Sequence, residues 1–455
     1  MSSALPTPQA VPPRTSRRRL AVHAAPHRGR LGATASLGVL ASILVSLLAA
    51  SSAPTPLYAI YQQHWGFSPI TITVVFGVYA VAVLLSLLVF GKISDHVGRR
   101  PVLLVALLGQ ALAMVVFVEA GGVDALLAAR VLQGISTGAA VGAIGAGMLD
   151  VDARRGGFLN SLAPTLGTAG GAMVSGILVQ YLPAPTRLVY LVLLGVFVLQ
   201  ALAVLALRET VSRERGALAS MAPEFKLPKP ARAAVAIAAP VMFAVWALTG
   251  LYAALGPAII RTLVHSSSVV WGGLPLFVLA SAAGLAVVLL RGTATRKVMF
   301  IGIGSLVAGV LITLTSVAPG GGGALAVTMF FVGAAISGFG FGGGFQGGIR
   351  MVVPLVEPHE RAGVLSLLYV ICYVGLGVPA VIGGFLVVHG GGLVPTAREY
   401  GAVVVLLALA ALAGLLRSGR RVEHVAAARP VAAPAMTAPA AAEPARRRSP
   451  WEALD

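Results

Sequence analysis

Long uninterrupted stretches of apolar side chains, each closed by a short polar or Gly-rich link, recur along the chain near residues 33-53, 69-90, 101-119, 124-148, 158-181, 187-207, 234-256, 269-290, 297-318, 323-347, 362-388 and 399-416. Each is close to the roughly 20 residues that a helix, rising about 1.5 Å per residue, needs to cross a hydrocarbon layer about 30 Å thick. The pattern predicts twelve membrane-spanning helices. A β-barrel is disfavoured, because the runs are continuously apolar and show no alternation at a period of two. Composition agrees: 57% of the 455 residues are hydrophobic and 11% charged, the balance of a polytopic membrane protein.

Charge then orients the runs. A formal charge of +18 would point to nucleic acid in a soluble protein, but here nearly all Lys and Arg sit in tails and links, so no nucleic-acid partner is expected. The even-numbered links hold Lys92, Arg99, Arg100, Arg154, Arg155, Arg291, Arg296, Lys297, Arg350 and Arg361, whereas Arg187, Arg261 and Arg398 stand nearly alone in the odd-numbered ones. Basic links mark the cytoplasmic face, so both termini are expected in the cytoplasm, in a multi-pass protein of a bacterial plasma membrane. The lone cysteine, Cys372, excludes a disulfide framework or a Cys-based metal site. The first 30 residues lack the apolar core of a signal peptide and read as a disordered tail.

The longest polar link follows the sixth run and carries Arg213, Arg215, Lys226, Pro228, Lys229 and Pro230. It divides the chain into a tail (1-31), a six-helix bundle (32-208), a linker (209-232), a second six-helix bundle (233-417) and an Ala/Pro/Arg-rich tail (418-455) that cannot build a core. The halves are weakly alike: Arg155-Gly-Gly-Phe-Leu-Asn160 opens the fifth run and Arg361-Ala-Gly-Val-Leu-Ser366 the eleventh. The expected fold is all-α, two six-helix bundles related by a pseudo-two-fold axis, a plan that in secondary transporters places the substrate near the midplane between the halves.

The most informative stretch is Gly91-Lys-Ile-Ser-Asp95-His-Val-Gly98-Arg99-Arg100-Pro101, between the second and third runs. Gly98 permits a tight reversal, Arg99 and Arg100 suit lipid phosphate, Pro101 suits the first turn of a helix, and Asp95 needs a partner such as an Arg or a helix N-terminus. The stretch resembles the G-x-x-x-D-x-x-G-R-R signature of the major facilitator superfamily at every defined position. That resemblance implies the two-bundle fold over nearly all of residues 31–417. It also implies that Gly91, Asp95, Gly98, Arg99 and Arg100 form a conformational latch whose carboxylate bonds to the other half when the cytoplasmic side is shut. At the matching place in the second half, Arg291-Gly-Thr-Ala-Thr-Arg296-Lys297 keeps the basic residues and lacks the acid.

Arg130, Gln133, Gly134, Thr137 and Gly138 share one face of the fourth run. An arginine inside a membrane helix costs at least about 2.5 kcal/mol on insertion scales, so Arg130 marks a cavity or an ion path unless it snorkels to an interface. Arg130-Val-Leu-Gln133-Gly134 resembles the superfamily's R-x-x-x-G motif, which implies a role for Arg130, Gln133 and Gly134 in proton and substrate coupling. The fifth run, Gly167-Thr-Ala-Gly170-Gly171-Ala-Met-Val-Ser175-Gly176, matches only part of the drug:proton antiporter pattern; it lacks the Gly-Pro pair, and its small residues also suit close helix packing.

All fifteen acidic residues fall in links, tails or span edges, so no buried carboxylate is available as a coupling site. Coupling, if the chain has any, rests on Asp95, Arg130 or His64, the last beside Trp65 at the expected outer interface, and facilitated diffusion is the alternative. Pro54 and Pro56 break the end of the first run and bring Tyr58 to its mouth, and Trp246, Thr249 and Tyr252 occupy the matching place in the seventh. With Asn160, Thr165, Gln346 and Tyr373 they sketch a substrate cavity, aromatic and uncharged, that suits a neutral or cationic amphiphile. The expected function is proton-coupled export of small hydrophobic or cationic compounds by a monomer embedded in the lipid bilayer. Import of a sugar or other metabolite, and a non-transporting sensor or scaffold, are the alternatives. No nucleotide-binding loop and no buried His/Asp/Glu cluster appear, so no cofactor, metal or enzymatic activity is expected.

Overall fold

The computed structural model describes residues 31–427 except 224–226, 267, 318–322 and 358–359. The tails, Lys226 and the disorder expected of them lie outside the described residues, apart from 418–427, which are helical. In chain order the helices are α1 (Ala33–Ser52), α2 (Tyr58–Trp65), α3 (Pro69–Phe90), α4 (Ser94–Val97), α5 (Arg99–Val118), α6 (Val123–Val151), α7 (Ala153–Tyr181) and α8 (Leu188–Val204). They continue as α9 (Lys229–Ala254), α10 (Gly256–Val264), α11 (Val270–Leu289), α12 (Thr295–Ser316), α13 (Gly323–Val352), α14 (Arg361–His389) and α15 (Leu393–Ala427).

Eleven of these are long and apolar enough to cross a membrane. The twelfth span is α8, with 17 residues of α-helix. It is lengthened by tighter winding in which Leu205, Ala206 and Leu207 donate to carbonyls three residues back, so the run predicted to end at 207 does so in a narrower turn. The seventh span begins earlier than predicted, at Lys229, because Pro228 and Pro230 sit at the unbonded start of a helix rather than breaking one. The described residues form the expected all-α fold of two six-helix bundles, α1 to α8 and α9 to α15.

Each bundle has its own apolar core, built on Ile43, Leu44, Leu107 and Phe197 in the first and on Met242, Ile303, Leu306 and Phe330 in the second. The outer faces are equally apolar: along α5, Val105, Leu108 and Leu112 are more than half exposed, as lipid-facing side chains are when hydrocarbon replaces water. Inside the first bundle the approach of α6 to α3 is set by missing side chains. A Cβ at Gly134 would meet that of Ala82 at 2.6 Å, and one at Gly138 would meet the Val83 carbonyl at 2.5 Å.

The bundles meet along two seams. In one, α3 packs on α14, with Thr73 against Gly384, Gly77 against Val381 and Ala80 against Gly377. In the other, α7 packs on α11: Gly176 lies against Val270, Ala172 against Gly273, and Gln180 Oε1 accepts from Ser268 Oγ at 3.1 Å and Val269 N at 2.9 Å. Phe76, Ala80 and Ala172 of the first bundle join the second bundle's core. These contacts run from the end of the molecule remote from the basic links to its middle, where Ala80 meets Gly377 and Thr165 meets Gly284. Among these contacts none lies at the basic end.

Candidate functional site

The site grows from a broken helix. Pro54 and Pro56 have no N–H to donate, so between α1 and α2 the chain winds into turns in which Thr55 N bonds Ser52 O and Leu57 N bonds Pro54 O. That leaves the carbonyls of Ala50, Ser51 and Ala53 without their helical donors, which a hydrocarbon environment penalises. Each is taken by a side chain: Gln133 Nε2 donates to Ala50 O at 3.0 Å, an Arg130 Nη to Ser51 O at 3.0 Å, and Ser175 Oγ to Ala53 O at 2.6 Å.

Arg130 is fully buried and does not snorkel. Besides Ser51 O it donates to Gln133 Oε1 at 2.6 Å and to the Tyr58 hydroxyl at 2.5 Å, and its guanidinium carbon stands 5.1 Å from the Tyr79 ring centre and 5.8 Å from those of Tyr58 and Phe117. Gln110 Nε2 extends the network to Gln133 O and Thr137 Oγ1, and the Tyr79 hydroxyl reaches Thr137 and Ser51. Its partners are carbonyls, hydroxyls, amides and ring faces, with no carboxylate, and Nε has no partner. The positive charge is solvated by the protein, not neutralised.

At the basic end, residues 91–98 make the reversal between α3 and α5. Gly98 sits at φ 102°, and a Cβ there would lie 2.7 Å from a carboxylate oxygen of Glu209. That carboxylate caps α5, accepting from Arg99 N at 2.8 Å and Arg100 N at 3.0 Å. Asp95 finds the arginine partner it was expected to need, but in its own bundle: it pairs with Arg99 at 2.5 Å, and Arg99 also bonds Asp150 at 3.2 Å and Ser94 at 2.6 Å. Arg99 and Arg100 were expected at lipid phosphate; the Arg99 side chain is instead only 11% exposed, and Arg100 donates to Leu205 O at 2.6 Å. Gly91 packs under α6, where a Cβ on Gly142 would meet its carbonyl at 2.7 Å.

The residues sketched as a cavity divide. Tyr58 joins Arg130 and also lines a cavity of about 220 Å³ between the bundles at the far end, with Gln62, Pro69, Pro257 and Arg261. Trp246 and Tyr373 come together at 5.0 Å between ring centres, beside Phe341 and Phe345. Tyr252 does not join them: it is buried in its own bundle, hydrogen-bonded to Thr313 at 2.8 Å and packed on Phe330. Thr165 packs against Gly284, Asn160 lies against Gly145, and Thr249 bonds back to Val245 O. Gln346 is one turn from Gly342, which abuts the Ala283 carbonyl, so helix geometry turns it toward α11 and away from the aromatic group. His64 is exposed, and a ring nitrogen lies 2.8 Å from Ile60 O.

Three residues were not foreseen. Glu209 lies 110 positions from Arg99 in sequence, and Tyr79 and Tyr369 sit in apolar runs without a motif; the structure sets the Tyr79 ring of α3 against the Arg130 guanidinium, and Tyr369 one turn from Tyr373 on α14. A larger groove of about 570 Å³ beside the α3–α14 seam is lined mainly by apolar side chains, among them Val81, Leu85, Val131, Ile135 and Val381. Among the described residues no cluster of three or more His, Cys, Asp or Glu side chains is placed to hold a metal.

A family model described as Major Facilitator Superfamily matches residues 39–333, more than half of the chain. The chain is 44% identical over 64 residues to the multidrug resistance protein D of Escherichia coli, a match spanning 14% of this chain and 16% of that one. Among solved structures it is similar to the nucleoside transporter NupG, with a TM-score of 0.62 at 14% identity, covering 84% of this chain and 99% of that one. A point mutant of NupG gives a TM-score of 0.64 at 13% identity, covering 84% of this chain and 100% of that one.

Proposed function

The chain belongs to the major facilitator superfamily and is a multi-pass membrane transporter; from that premise we propose that it exports small hydrophobic compounds by proton antiport, its two bundles rocking about a site between them. What carries the reading is the one-ended closure. Two bundles in contact from the far end to the middle through glycine and alanine, with the Asp95 carboxylate paired inside its own bundle at the other end, support the reading of a carrier caught with its basic face unlatched. In this reading residues 32-208 and 233-417 are the moving bodies, and the basic face is cytoplasmic in a bacterial plasma membrane, with both termini there. The protein works as a monomer. Gly91, Asp95, Gly98, Arg99 and Arg100 form the latch, Asp95 exchanging Arg99 for a partner in the second bundle when that face shuts. Arg130, Gln133 and Gly134 tie the state of the α1 break to the site.

Export is favoured by the stretch shared with a multidrug resistance protein. Import of a small metabolite is the second reading, and the likeness in fold to a nucleoside transporter is what favours it. Inverted vesicles separate the two. Uptake of a labelled aromatic drug that rises when the interior is made acid, and collapses with an uncoupler, is the outcome expected of an exporter. Uptake that is indifferent to the pH gradient removes proton antiport, and absence of flux from reconstituted liposomes removes transport of that compound.

A further inference from the structure

The cavity at the far end is walled by both bundles. Tyr58, Gln62 and Ile72 of α2 and α3 face Leu255, at the joint of α9 and α10, and Ala258 and Arg261 of α10. At about 220 Å³ it exceeds the roughly 150 Å³ of an apolar cavity that takes up benzene, so a molecule built on one six-membered ring fits. The lining is mostly apolar, and Arg261 brings it a charge. Arg261 Nε donates to Pro257 O at 3.2 Å, one turn back along α10, which fixes the stem and leaves both terminal amino groups of the guanidinium without a partner among the described residues.

No described carboxylate pairs with Arg261; Glu399 of α15 is exposed, with the exposed Arg398 beside it. Charges drawn partly out of water are as a rule paired, so a half-buried guanidinium without an anion at a cavity wall is a group waiting for one. A second cation stands behind the same wall. Tyr58, which lines the cavity, accepts a hydrogen bond from the fully buried Arg130, and that arginine has no carboxylate partner either. Two unmatched positive charges in a low-dielectric surrounding favour an anion over a neutral or cationic guest. Gln62 adds a donor: its amide nitrogen gives one N–H to Phe67 O at 3.2 Å and keeps the second. A planar guanidinium matches the two oxygens of a carboxylate, and the apolar remainder of the lining suits the body of an organic acid.

We propose that this cavity is a binding site for a small monocarboxylate, its anionic end held by Arg261 with the Gln62 amide and its apolar body resting on Ile72, Leu255 and Ala258. Because the walls belong to both bundles, the occupant bridges them and favours the arrangement in which the far end is shut. The site holds for either direction of transport.

The test uses benzoate and benzamide, which share a shape and differ in charge. Their binding to the full-length protein in nanodiscs of zwitterionic lipid is measured by calorimetry at constant ionic strength. Benzoate should bind at least about tenfold more tightly, as a charge-assisted pair exceeds a neutral hydrogen bond. Arg261→Gln should weaken benzoate by about tenfold or more and change benzamide by less than about twofold. Arg261→Lys keeps the charge without the fork and should weaken benzoate less than the Gln variant does. Ala258→Phe fills the cavity while keeping Arg261, and should abolish binding of both compounds. If one of these variants does not fold, the wild-type order and the other two decide. Benzoate that binds no more tightly than benzamide overturns the proposal. So does benzoate binding that survives Arg261→Gln, which puts the ligand elsewhere, or survives Ala258→Phe, which leaves Arg261 meeting anions at the surface. Because binding is read without a gradient, a failure of proton-driven export in vesicles leaves the site standing, and loss of the site leaves export standing.

Discussion

The two bundles solve one structural problem, how to hold the reversal after their second span, with different chemistry. In the first, the link before α5 is fixed by ions: Arg99 bridges Asp95 and Asp150, and the Glu209 carboxylate caps the helix that follows. In the second, the link between α11 and α12 has no acid, and Arg350 from α13 holds it by donating to the carbonyls of Leu290 at 3.2 Å, Arg291 at 3.0 Å and Thr293 at 3.4 Å. Backbone carbonyls at a helix C-terminus are good acceptors for a cation, so the geometry is kept. What is lost is exchangeability. A carboxylate can leave one arginine for another, whereas a carbonyl fixed to the chain cannot, so the proposed switch belongs to the first bundle.

That contrast can be broken at three points. Gly98→Ala should do the most damage, about 2 kcal/mol or more, since it adds a side chain both at positive φ and against the Glu209 carboxylate. The loss should appear as a lower thermal midpoint in detergent, and Glu209→Ala should relieve part of it; an unshifted midpoint would mean the reversal tolerates another geometry. Arg350→Met should cost about 1–2 kcal/mol, because three carbonyls lose a charged donor near water that replaces it in part. Its transport rate, measured at matched folded protein, should stay near wild type. Asp95→Asn should change stability least, under about 0.5 kcal/mol, because the Asp95 side chain is 53% exposed and Arg99 keeps Asp150. Yet it should slow transport while leaving membrane insertion intact, so undiminished turnover in the purified variant would remove the latch from the mechanism.

Much of the scaffold was readable because the bilayer reduces it to length and hydropathy; the predicted spans match the helices to within a few residues at most ends. The α1 break was readable too, since Pro54 and Pro56 cannot donate and no neighbour changes that. The site was less so. Tyr252 and Tyr373 are both tyrosines in apolar runs, and only packing decides that one binds Thr313 inside a bundle while the other faces Trp246 near the boundary. Thr165 reads as a polar lining from its residue type, but its hydroxyl bonds its own helix at Leu162 and the side chain serves as a small surface for Gly284. Glu209 was invisible as a cap because its partners are backbone atoms more than a hundred residues away.

Prolines in a membrane helix invite the view that the chain flexes there. Here the three carbonyls they release are gripped by Gln133 and Arg130 of α6 and Ser175 of α7. The weak point of one helix is therefore the rivet of three. Any swing of the outer part of α1 must carry α6 and α7 along, and the rocking proposed for turnover would then fall at the seams where glycines bring the bundles together.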